Sequence, residues 1–336
     1  MRLFSDRDAD LSVLRSAGVA MLGYGNQGQA HALNLRDSGV PVIVGQRGGS
    51  SRFDSARADG FEPVPLEQAV PRAGLLILAL PDDRMADVYA EAIAPHLRPG
   101  QALGFIHGFN IYFRRIVPPA DVDVVMVAPK GPGRLVRDAF VAGGGVAGLL
   151  AVHQDATAQA QRTALAWAAG IGCTRVGVFE TTFAHETVTD LFGEQTVLCG
   201  GMVELMKAAF ETLVVAGYPD ELAYFECVHE VKQIVDLIYD GGIEGMRRRI
   251  SSTARYGGLI RGPEMLPDAA RQAMRAALAD IESGAFARRF AQDTAAGGPE
   301  MRRLAQEEQE HPVVEARRKL FDRLNQRQPQ PNRDHE

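Results

Sequence analysis

The chain has 336 residues, of which 46% are hydrophobic and 23% charged, and its formal net charge is −6. This length predicts about two domains with a sizeable core. The acidic balance, without a basic patch, argues against a nucleic-acid partner. The charged amino terminus does not resemble a signal peptide, and no apolar stretch approaches the roughly 20 residues of a membrane helix. The spacings of Cys173, Cys199 and Cys227 fit neither disulfides nor a zinc site, which favours reduced thiols in a cytoplasmic protein.

Short apolar runs recur through the first half of the chain, with helical stretches such as 29–38 and 84–97 between them. Unalternating β-branched runs separated by helices predict parallel strands that are covered on both faces. The expected fold is therefore an α/β, doubly wound, Rossmann-like domain. The predicted strands are 19–22, 40–44, 75–80, 102–106, 122–127, 148–152 and a closing strand at 173–178.

After Thr182 no strand-like run follows, and apolar residues recur at the three-to-four spacing of helices. We therefore predict a Rossmann-like domain over 1–182, an all-α domain over 183–325 and a disordered polar tail over 326–336. The predicted helices are 186–215, 218–240, 245–256, 267–283 and 302–325, with breaks at 216–219, 241–242, 257–267 and 295–299.

A glycine-rich turn ends the first predicted strand and opens a helix. A G-x-G-x-x-G turn in that position lets the backbone approach a pyrophosphate, which the free N–H groups of the helix N-terminus then bind. The alternative, an ordinary glycine-rich turn, is less consistent with the preceding strand and following helix. The candidate cofactor residues in this turn, which starts at Gly23, are Tyr24, Gly25, Asn26, Gln27 and Gly28.

The end of the second predicted strand favours NADP over NAD. NAD enzymes usually place an acid there to bind the ribose hydroxyls. This chain has no acid at that position and instead carries Arg47, Ser50, Ser51 and Arg52. Guanidinium and hydroxyl donors suit a 2′-phosphate. A solvated basic turn is the alternative.

Two pairs of carboxylates share helical i, i+4 spacing: Asp190 with Glu194, and Glu226 with Glu230. Each pair lies on one helix face, and two facing pairs would require a hard cation such as Mg²⁺ to neutralise them. A two-metal site could bind vicinal oxygens and polarise a carbonyl. From spacing alone, two acidic pairs on solvated helix faces are at least as likely as a metal site. The apolar neighbours of these acids nevertheless favour a buried site.

Two further polar residues, His107 and Lys130, follow predicted strands. Ligands in this fold bind outside the carboxyl ends of the strands. Both residues are therefore candidates for the active site. A structural histidine and a surface lysine are the alternatives.

Several segments of the chain resemble class I (short-chain) ketol-acid reductoisomerases, from about residue 3 to about residue 322. The combination of DLFGEQ with ECVHEVK after a Rossmann-like domain is highly specific to this family. The segments are GYGNQGQAHALNLRDSG, HGFNIYF, VMVAPKGPG, HQDAT, ETTFAHETVTDLFGEQTVLCGG, AGYPDELAYFECVHEVKQIVDLIYDGG and GMRRRIS.

The resemblance implies a Mg²⁺-dependent migration of an alkyl group in 2-acetolactate or 2-aceto-2-hydroxybutyrate. Reduction by NADPH then gives a 2,3-dihydroxy acid for isoleucine and valine synthesis. It also implies a knotted helical domain and a homodimer, or a higher homo-oligomer, that shares its active sites between subunits.

Residue roles follow from the same resemblance. It implies two Mg²⁺ ions on the four acids, with Glu230 also contacting substrate, and Ser251 binding the substrate carboxylate. His107, Lys130 and Glu230 would be catalytic residues. The cofactor contacts would extend from the glycine-rich turn to Arg47, Ser50, Arg52, Asp82 and Gly133.

The chain departs from the family pattern around Ser251, where Arg248, Arg249 and Arg255 are unusual. If 245–256 is one helix, Arg248 and Arg255 lie on the stripe of Ser251. That arrangement would suit a divergent enzyme acting on a more acidic ketol acid, whereas drift on a subunit surface is the alternative. Other departures are Asn26, Gln29, Arg52, the stretch 81–85, the pair Arg114 and Arg115, and Val188.

Two further hypotheses remain open. A metal-independent NADP reductase, like the 3-hydroxyacid dehydrogenases, also pairs a Rossmann domain with helices, but it has no use for four paired acids. A non-catalytic NADPH-binding protein is the third possibility.

Overall fold

The computed structural model of this protein describes residues 1–326. The chain divides into two compact units, Met1–Thr189 and a second that begins at Asp190. The boundary predicted after Thr182 stays a prediction. Most of the predicted polar tail, residues 327–336, lies outside the described residues.

The first unit contains a mixed sheet, which within the described residues has eight strands in the order β1-β8-β7-β6-β5-β4-β2-β3. Five neighbouring strands, β3, β2, β4, β5 and β6, are parallel as predicted. The strands are β1 Leu3–Phe4, β2 Val19–Leu22, β3 Val42–Gly45, β4 Leu75–Leu78, β5 Ala102–Phe105, β6 Asp123–Pro129, β7 Gly148–Gln154 and β8 Val178–Glu180.

The central strands β2, β4, β5 and β6 are buried on both faces, as their continuous apolar runs predicted. Successive strand residues point to opposite faces, and alternate residues of one strand therefore enter different cores. Met21 packs in the core that contains Trp167, whereas Leu22 packs in the core that contains Phe105. Helices on both sides exclude water from the central strands.

The prediction of parallel strands fails at β7, which runs antiparallel to β6. The chain leaves the sheet at Pro129, the last residue of β6, and returns at that same end of the strand. Gly148 therefore pairs with Pro129, and β7 runs back along β6. The predicted strand 173–178 is also wrong in its bounds. Residues Cys173–Arg175 form a 3₁₀ turn, and β8 begins after Gly177, whose φ is 140°.

Short helices connect the strands of the first unit. The helix predicted at 84–97 is in fact α5 followed by a π-helical segment, Tyr89–Ile93, and a 3₁₀ turn, Ala94–His96. The α-helices are α1 Ser12–Ala17, α2 Asn26–Asp37, α3 Ser51–Ala58, α4 Leu66–Ala69, α5 Asp82–Val88, α6 Phe109–Tyr112, α7 Gly133–Val141 and α8 Ala160–Gly170; α9, Phe183–Gly193, crosses into the second unit.

The described part of the second unit is helical, as predicted. The helix predicted at 245–256 is wrong, because α12 ends at Arg249 and the chain is extended at Ile250 and Ser251. The predicted break at 257–267 is largely helical, and α15 was missed. The helices are α10 Gly201–Val215, α11 Asp220–Tyr224, α12 Val231–Arg249, α13 Ser252–Met265, α14 Asp268–Glu282, α15 Ala285–Ala295, α16 Pro299–Gln309 and α17 Pro312–Gln326.

Two π-helical segments interrupt the helices of the second unit, at Glu194–Leu198 and Phe225–His229. In the second of these, Glu230 N–H donates to the Phe225 carbonyl, five residues earlier. Such π-bulges occur often at functional sites. Both segments fall on the acids that the sequence proposed as metal ligands.

Over residues 1–326, no helix combines the length and the apolar character that a membrane span requires.

Candidate active site

The register of the parallel strands aligns the carboxyl ends of β2, β4 and β5 with Met126 of β6 at one edge of the sheet. Leu22 of β2 pairs with Leu78 of β4, Leu78 with Phe105 of β5, and Phe105 with Met126 of β6. The turns after β2, β4 and β5 therefore lie side by side. They line a cleft of about 1050 Å³ within the first unit, which is large enough for a dinucleotide.

The turn after β2 forms one wall of this cleft, and its backbone is packed too closely for side chains. A Cβ on Gly28 would lie 2.5 Å from the Gly23 carbonyl oxygen and 2.9 Å from the Ala79 Cβ. The helix α2 begins at Asn26, so the N–H groups of its first turn have no acceptor within the helix. This geometry fits the binding of a pyrophosphate at the N-terminus of α2.

The Tyr24 side chain turns into the protein. It is 1% exposed, and its hydroxyl donates to Asp59 Oδ2 over 2.9 Å. Burial, and then the Asp59 carboxylate, raise the pKa of the Tyr24 hydroxyl, which keeps its proton. A cofactor contact of Tyr24 would therefore involve atoms other than this hydroxyl.

The segment after β3 supplies the cations of the cleft. Arg47 and Arg52 are exposed and line the cleft with Gln46. The Ser50 hydroxyl caps α3: it accepts from Phe53 N–H and from Gln46 Nε2 and donates to the Arg47 carbonyl. For Ser50 to donate a hydrogen bond to a phosphate, its hydroxyl proton would have to turn away from the Arg47 carbonyl.

Asp82 opens α5 at the cleft wall beside His107. Burial raises the pKa of its carboxyl, and the charge of His107 partly opposes that shift. Asn110 Nδ2 donates to Asp82 Oδ1 over 3.2 Å, and Arg115 Nη1 donates to the Asp82 carbonyl. Arg115 therefore has a structural partner, and its neighbour Arg114 adopts a left-handed φ of 53°.

The turn after β6 packs directly against the turn after β2. Gln27 Nε2 donates to the Gly131 carbonyl over 2.9 Å, and any Cβ on Gly133 would overlap the Asn26 carbonyl. Gly133 therefore permits the close approach of the two turns. Lys130 comes three residues before it.

A buried carboxylate joins the ends of β5 and β6. Glu186, on α9, is 1% exposed and accepts from the Gly108 N–H over 3.0 Å. Its Oε2 lies 3.0 Å from His107 Nδ1, and its Oε1 lies 3.5 Å from Lys130 Nζ. The carboxylate thus brings together the two polar residues that the sequence singled out. Because a carboxylate accepts hydrogen bonds, it favours a proton on Nδ1 of His107.

The four acids proposed as metal ligands lie in the second unit. Asp190 is half-buried, whereas Glu194, Glu226 and Glu230 are exposed in the single chain. Among the described residues from Asp190 onward, no three potential ligand side chains bring their ligand atoms within 4.8 Å of one another. One second unit therefore does not assemble the four carboxylates, and the burial expected from their apolar neighbours is absent at three of them.

Ser251 is the N-cap of α13, where its hydroxyl accepts from Ala254 N–H over 3.1 Å. The extended backbone at this residue separates Arg248, on α12, from Arg255, on α13. The predicted common stripe of Arg248, Ser251 and Arg255 is therefore wrong. Arg248 instead forms an ion pair with Glu244.

Sequence reasoning did not single out Glu186, although it occurs in one of the quoted motifs. The available signal was its spacing, because Glu186, Asp190 and Glu194 form a series at i, i+4 and i+8. The pairing of Glu186 with His107 and Lys130 depends on residues 79 and 56 positions away, which no local pattern reveals.

A Rossmann-like sheet, a glycine turn at a helix N-terminus and a cleft at the strand ends define a nicotinamide dinucleotide-dependent oxidoreductase. Two family models match the chain: the acetohydroxy acid isomeroreductase NADPH-binding domain over residues 13–177, and the ketol-acid reductoisomerase C-terminal domain over residues 183–326. The chain belongs to the ketol-acid reductoisomerase family, and its length fits class I. It is thus an NAD(P)-dependent oxidoreductase and isomerase.

One solved structure agrees with this assignment, and a more distant one shares the fold. An NADH-preferring ketol-acid reductoisomerase from an uncultured archean is 44% identical, with a TM-score of 0.93 over 96% of this chain and 99% of that one. A semialdehyde dehydrogenase NAD-binding protein from Cupriavidus necator, in complex with calcium and NAD, is 20% identical, with a TM-score of 0.59 over 80% of this chain and 99% of that one. The second likeness shows the fold only.

We expect Glu186→Gln to lower kcat by about 100-fold, since the amide still accepts from Gly108 N–H but loses the charge that faces Lys130 and His107. The KM for the nicotinamide cofactor should change little, because Glu186 is not among the residues that line the cleft. Steady-state kinetics on the folded variant measure both constants. Glu62→Gln, an exposed acid of the same unit, is the control. A kcat within about twofold of the parent would contradict a catalytic function for this cluster.

Proposed function

We propose that this protein is a cytoplasmic, Mg²⁺- and NADPH-dependent ketol-acid reductoisomerase of isoleucine and valine synthesis. Its substrates would be 2-acetolactate and 2-aceto-2-hydroxybutyrate. The observation that carries the proposal is the buried Glu186 carboxylate with Lys130 and His107, since His107 also lines the dinucleotide cleft. Side chains suited to proton transfer therefore lie beside the proposed dinucleotide site.

The reaction has two parts, which make different demands on the protein. In the first, the alkyl group moves from C2 to C3, the C2 hydroxyl loses its proton to become a ketone, and the C3 carbonyl oxygen gains a proton. In the second, a hydride and a proton reduce the C2 ketone. Both parts require proton transfers, for which positioned lysine, histidine and carboxylate groups are suited.

Within the first unit, Glu186 keeps Lys130 and His107 in place. Its charge stabilises the Lys130 ammonium, which is a donor for an oxygen that gains negative charge. Its bond to Nδ1 favours a proton on that nitrogen, so that Nε2 of His107 is the nitrogen left to take up or release a proton. His107 lies at the cleft wall beside Asp82.

The four acids of the second unit fit a hard cation, because carboxylate oxygens are the ligands that Mg²⁺ prefers. Asp190 and Glu194, and likewise Glu226 and Glu230, would hold two Mg²⁺ ions. These ions, when bound, supply positive charge at the hydroxyl and carbonyl oxygens of the substrate. Ser251 would bind the substrate carboxylate, and Glu230 would also contact the substrate.

NADPH is the proposed cofactor because the segment after β3 carries Arg47, Ser50 and Arg52 and no acid. Arginine forms charge-assisted, bidentate bonds with phosphate. The similar archaeal enzyme is described as NADH-preferring. The preference of this chain therefore depends on its own residues at this segment.

A homodimer, or a higher homo-oligomer, is proposed because one second unit does not bring its acid pairs together. One subunit would supply Asp190 and Glu194, and its partner would supply Glu226 and Glu230. In support, apolar side chains of this unit are exposed in the single chain, among them Leu205, Tyr239, Leu259 and Ile260. A surface of this kind favours association.

With racemic 2-acetolactate and Mg²⁺, we expect rapid oxidation of NADPH, followed by absorbance at 340 nm. EDTA should abolish the turnover, because both substrate oxygens depend on the cation. Excess Mg²⁺ added after EDTA is the control and should restore it. EDTA-resistant turnover would instead support a metal-independent reductase, and NADPH binding without turnover would support a non-catalytic protein.

Arg52→Ala should raise the KM for NADPH by about tenfold or more, since a charge-assisted phosphate bond is lost. The KM for NADH should stay nearly constant, because NADH has no 2′-phosphate. Arg57→Ala, an exposed arginine of the last turn of α3, is the matched control. If both cofactors lose affinity equally, Arg52 does not select the phosphate.

Asp190→Asn and Glu230→Gln subunits should each be inactive but should regain activity when they are mixed and allowed to exchange. If the pairs come from different subunits, each mixed dimer contains one intact site, and statistical mixing restores about a quarter of the parent activity. Asp190→Asn mixed with Glu194→Gln is the control, because every site then lacks one ligand. Equal activity in the two mixtures would refute a site shared between subunits.

A further inference from the structure

The helix α3 carries the proposed phosphate-selecting residues at its start, but little apolar packing holds it. It has eight residues, of which Ala56 is buried. Arg52 and Asp54 are exposed. Because a helix this short gains little stability by itself, polar contacts at its two ends must fix its position.

At the end of α3, Asp59 makes a compact set of hydrogen bonds to the neighbouring elements. Its Oδ2 accepts from Tyr24 Oη over 2.9 Å and from Gln29 Nε2 over 2.7 Å. Its carbonyl accepts from Arg36 Nη1 over 2.6 Å. We call Tyr24, Gln29 and Asp59 the Asp59 brace.

The Asp59 brace is well placed to resist movement. Tyr24 is 1% exposed and meets Phe61 edge to face, with ring centroids 5.9 Å apart. The Arg36 guanidinium lies over the Phe61 ring, 4.9 Å from its centroid. Hydrogen bonds to a charged acceptor are stronger than neutral ones, and burial strengthens them further.

The brace joins two parts of the cofactor cleft that otherwise lie on separate elements. Tyr24 belongs to the turn that would bind the pyrophosphate, and Gln29 lies on the first turns of α2 behind it. Asp59 ends the helix whose other end carries Ser50 and Arg52. A shift of α3 would therefore change the distance between the pyrophosphate turn and the 2′-phosphate residues.

We infer that Asp59 is a positioning residue for the adenosine 2′-phosphate: through Tyr24 and Gln29 it holds α3, and hence Arg52, at the distance from the pyrophosphate turn that NADPH requires. The inference rests on the proposed preference for NADPH. Asp59 is not among the residues that line the cleft, and its effect on the cofactor is indirect.

The test compares NADP⁺ and NAD⁺ binding to the full-length protein by titration calorimetry, without substrate or metal. Asp59→Asn should weaken NADP⁺ by about tenfold and NAD⁺ by less than about twofold, since NAD⁺ does not need the position of Arg52. Gln29→Met removes one donor without a change of charge and should shift the ratio in the same direction. Because the brace acts as one unit, the double variant should be little worse than Asp59→Asn.

Asp54→Asn is the matched control, as it removes the same charge from an exposed position of the same helix. It should leave the ratio of the two dissociation constants unchanged or favour NADP⁺. If Asp54→Asn weakens NADP⁺ as much as Asp59→Asn does, the loss is common to acids on this helix and does not depend on the contacts of Asp59 with Tyr24 and Gln29. If Asp59→Asn lowers only Tm, or weakens both cofactors equally, Asp59 is merely structural. Either result overturns the inference.

The Arg52→Ala variant distinguishes failure of the inference about Asp59 from failure of the proposed preference for NADPH. If the parent binds NADP⁺ more tightly than NAD⁺ and Arg52→Ala removes the difference, the preference stands whatever Asp59→Asn shows. If the parent does not discriminate and Arg52→Ala changes nothing, the preference for NADPH fails, and the inference about Asp59 fails with it.

Discussion

Strands β2, β4, β5 and β6 end side by side at one edge of the sheet. Both the dinucleotide cleft and the cluster of Glu186, His107 and Lys130 depend on this alignment. Parallel pairing from Leu22 to Met126 puts four turns along one edge of the sheet. A slip of one residue in any pair would send each side chain of that strand to the opposite face and into the wrong core. Packing of the two cores therefore fixes the geometry of the cleft.

The carboxylate of Glu186 is the second requirement. A buried charge is costly unless it is paired and hydrogen-bonded, and Glu186 has the Gly108 N–H, His107 and Lys130 as partners. These contacts join the turns after β5 and β6 to α9. The contacts that offset the cost of burying the Glu186 carboxylate also orient His107 and Lys130, the two side chains suited to proton transfer.

Individual elements show how far sequence patterns reached. The strand at 19–22 was predicted to the residue and a glycine-rich turn does follow it, because apolar runs and glycine spacing are local signals. The helix after the turn begins at Asn26, three residues before the predicted start. The helix at 245–256 was wrong, because Ser251, a residue type favoured at helix N-caps, ends one helix pattern and begins the next. The direction of β7 was also wrong, because a hydrophobic run reports burial and not orientation. The acid pairs were proposed from their spacing, but the exposure of Glu194, Glu226 and Glu230 in one chain was not predicted.

By itself, the sequence determined the fold class and, through the motifs that it shares, the family. It also singled out the glycine-rich turn, His107 and Lys130 as site candidates. Each of these depends on residue type at short spacing, which secondary-structure periods and motifs encode directly. Only the tertiary structure decided that Glu186 joins His107 to Lys130 and that Asp59 ties Tyr24 to the end of α3. Those contacts join residues 35 to 79 positions apart. Packing of the sheet and helices, and no local pattern, brings such side chains within hydrogen-bond distance.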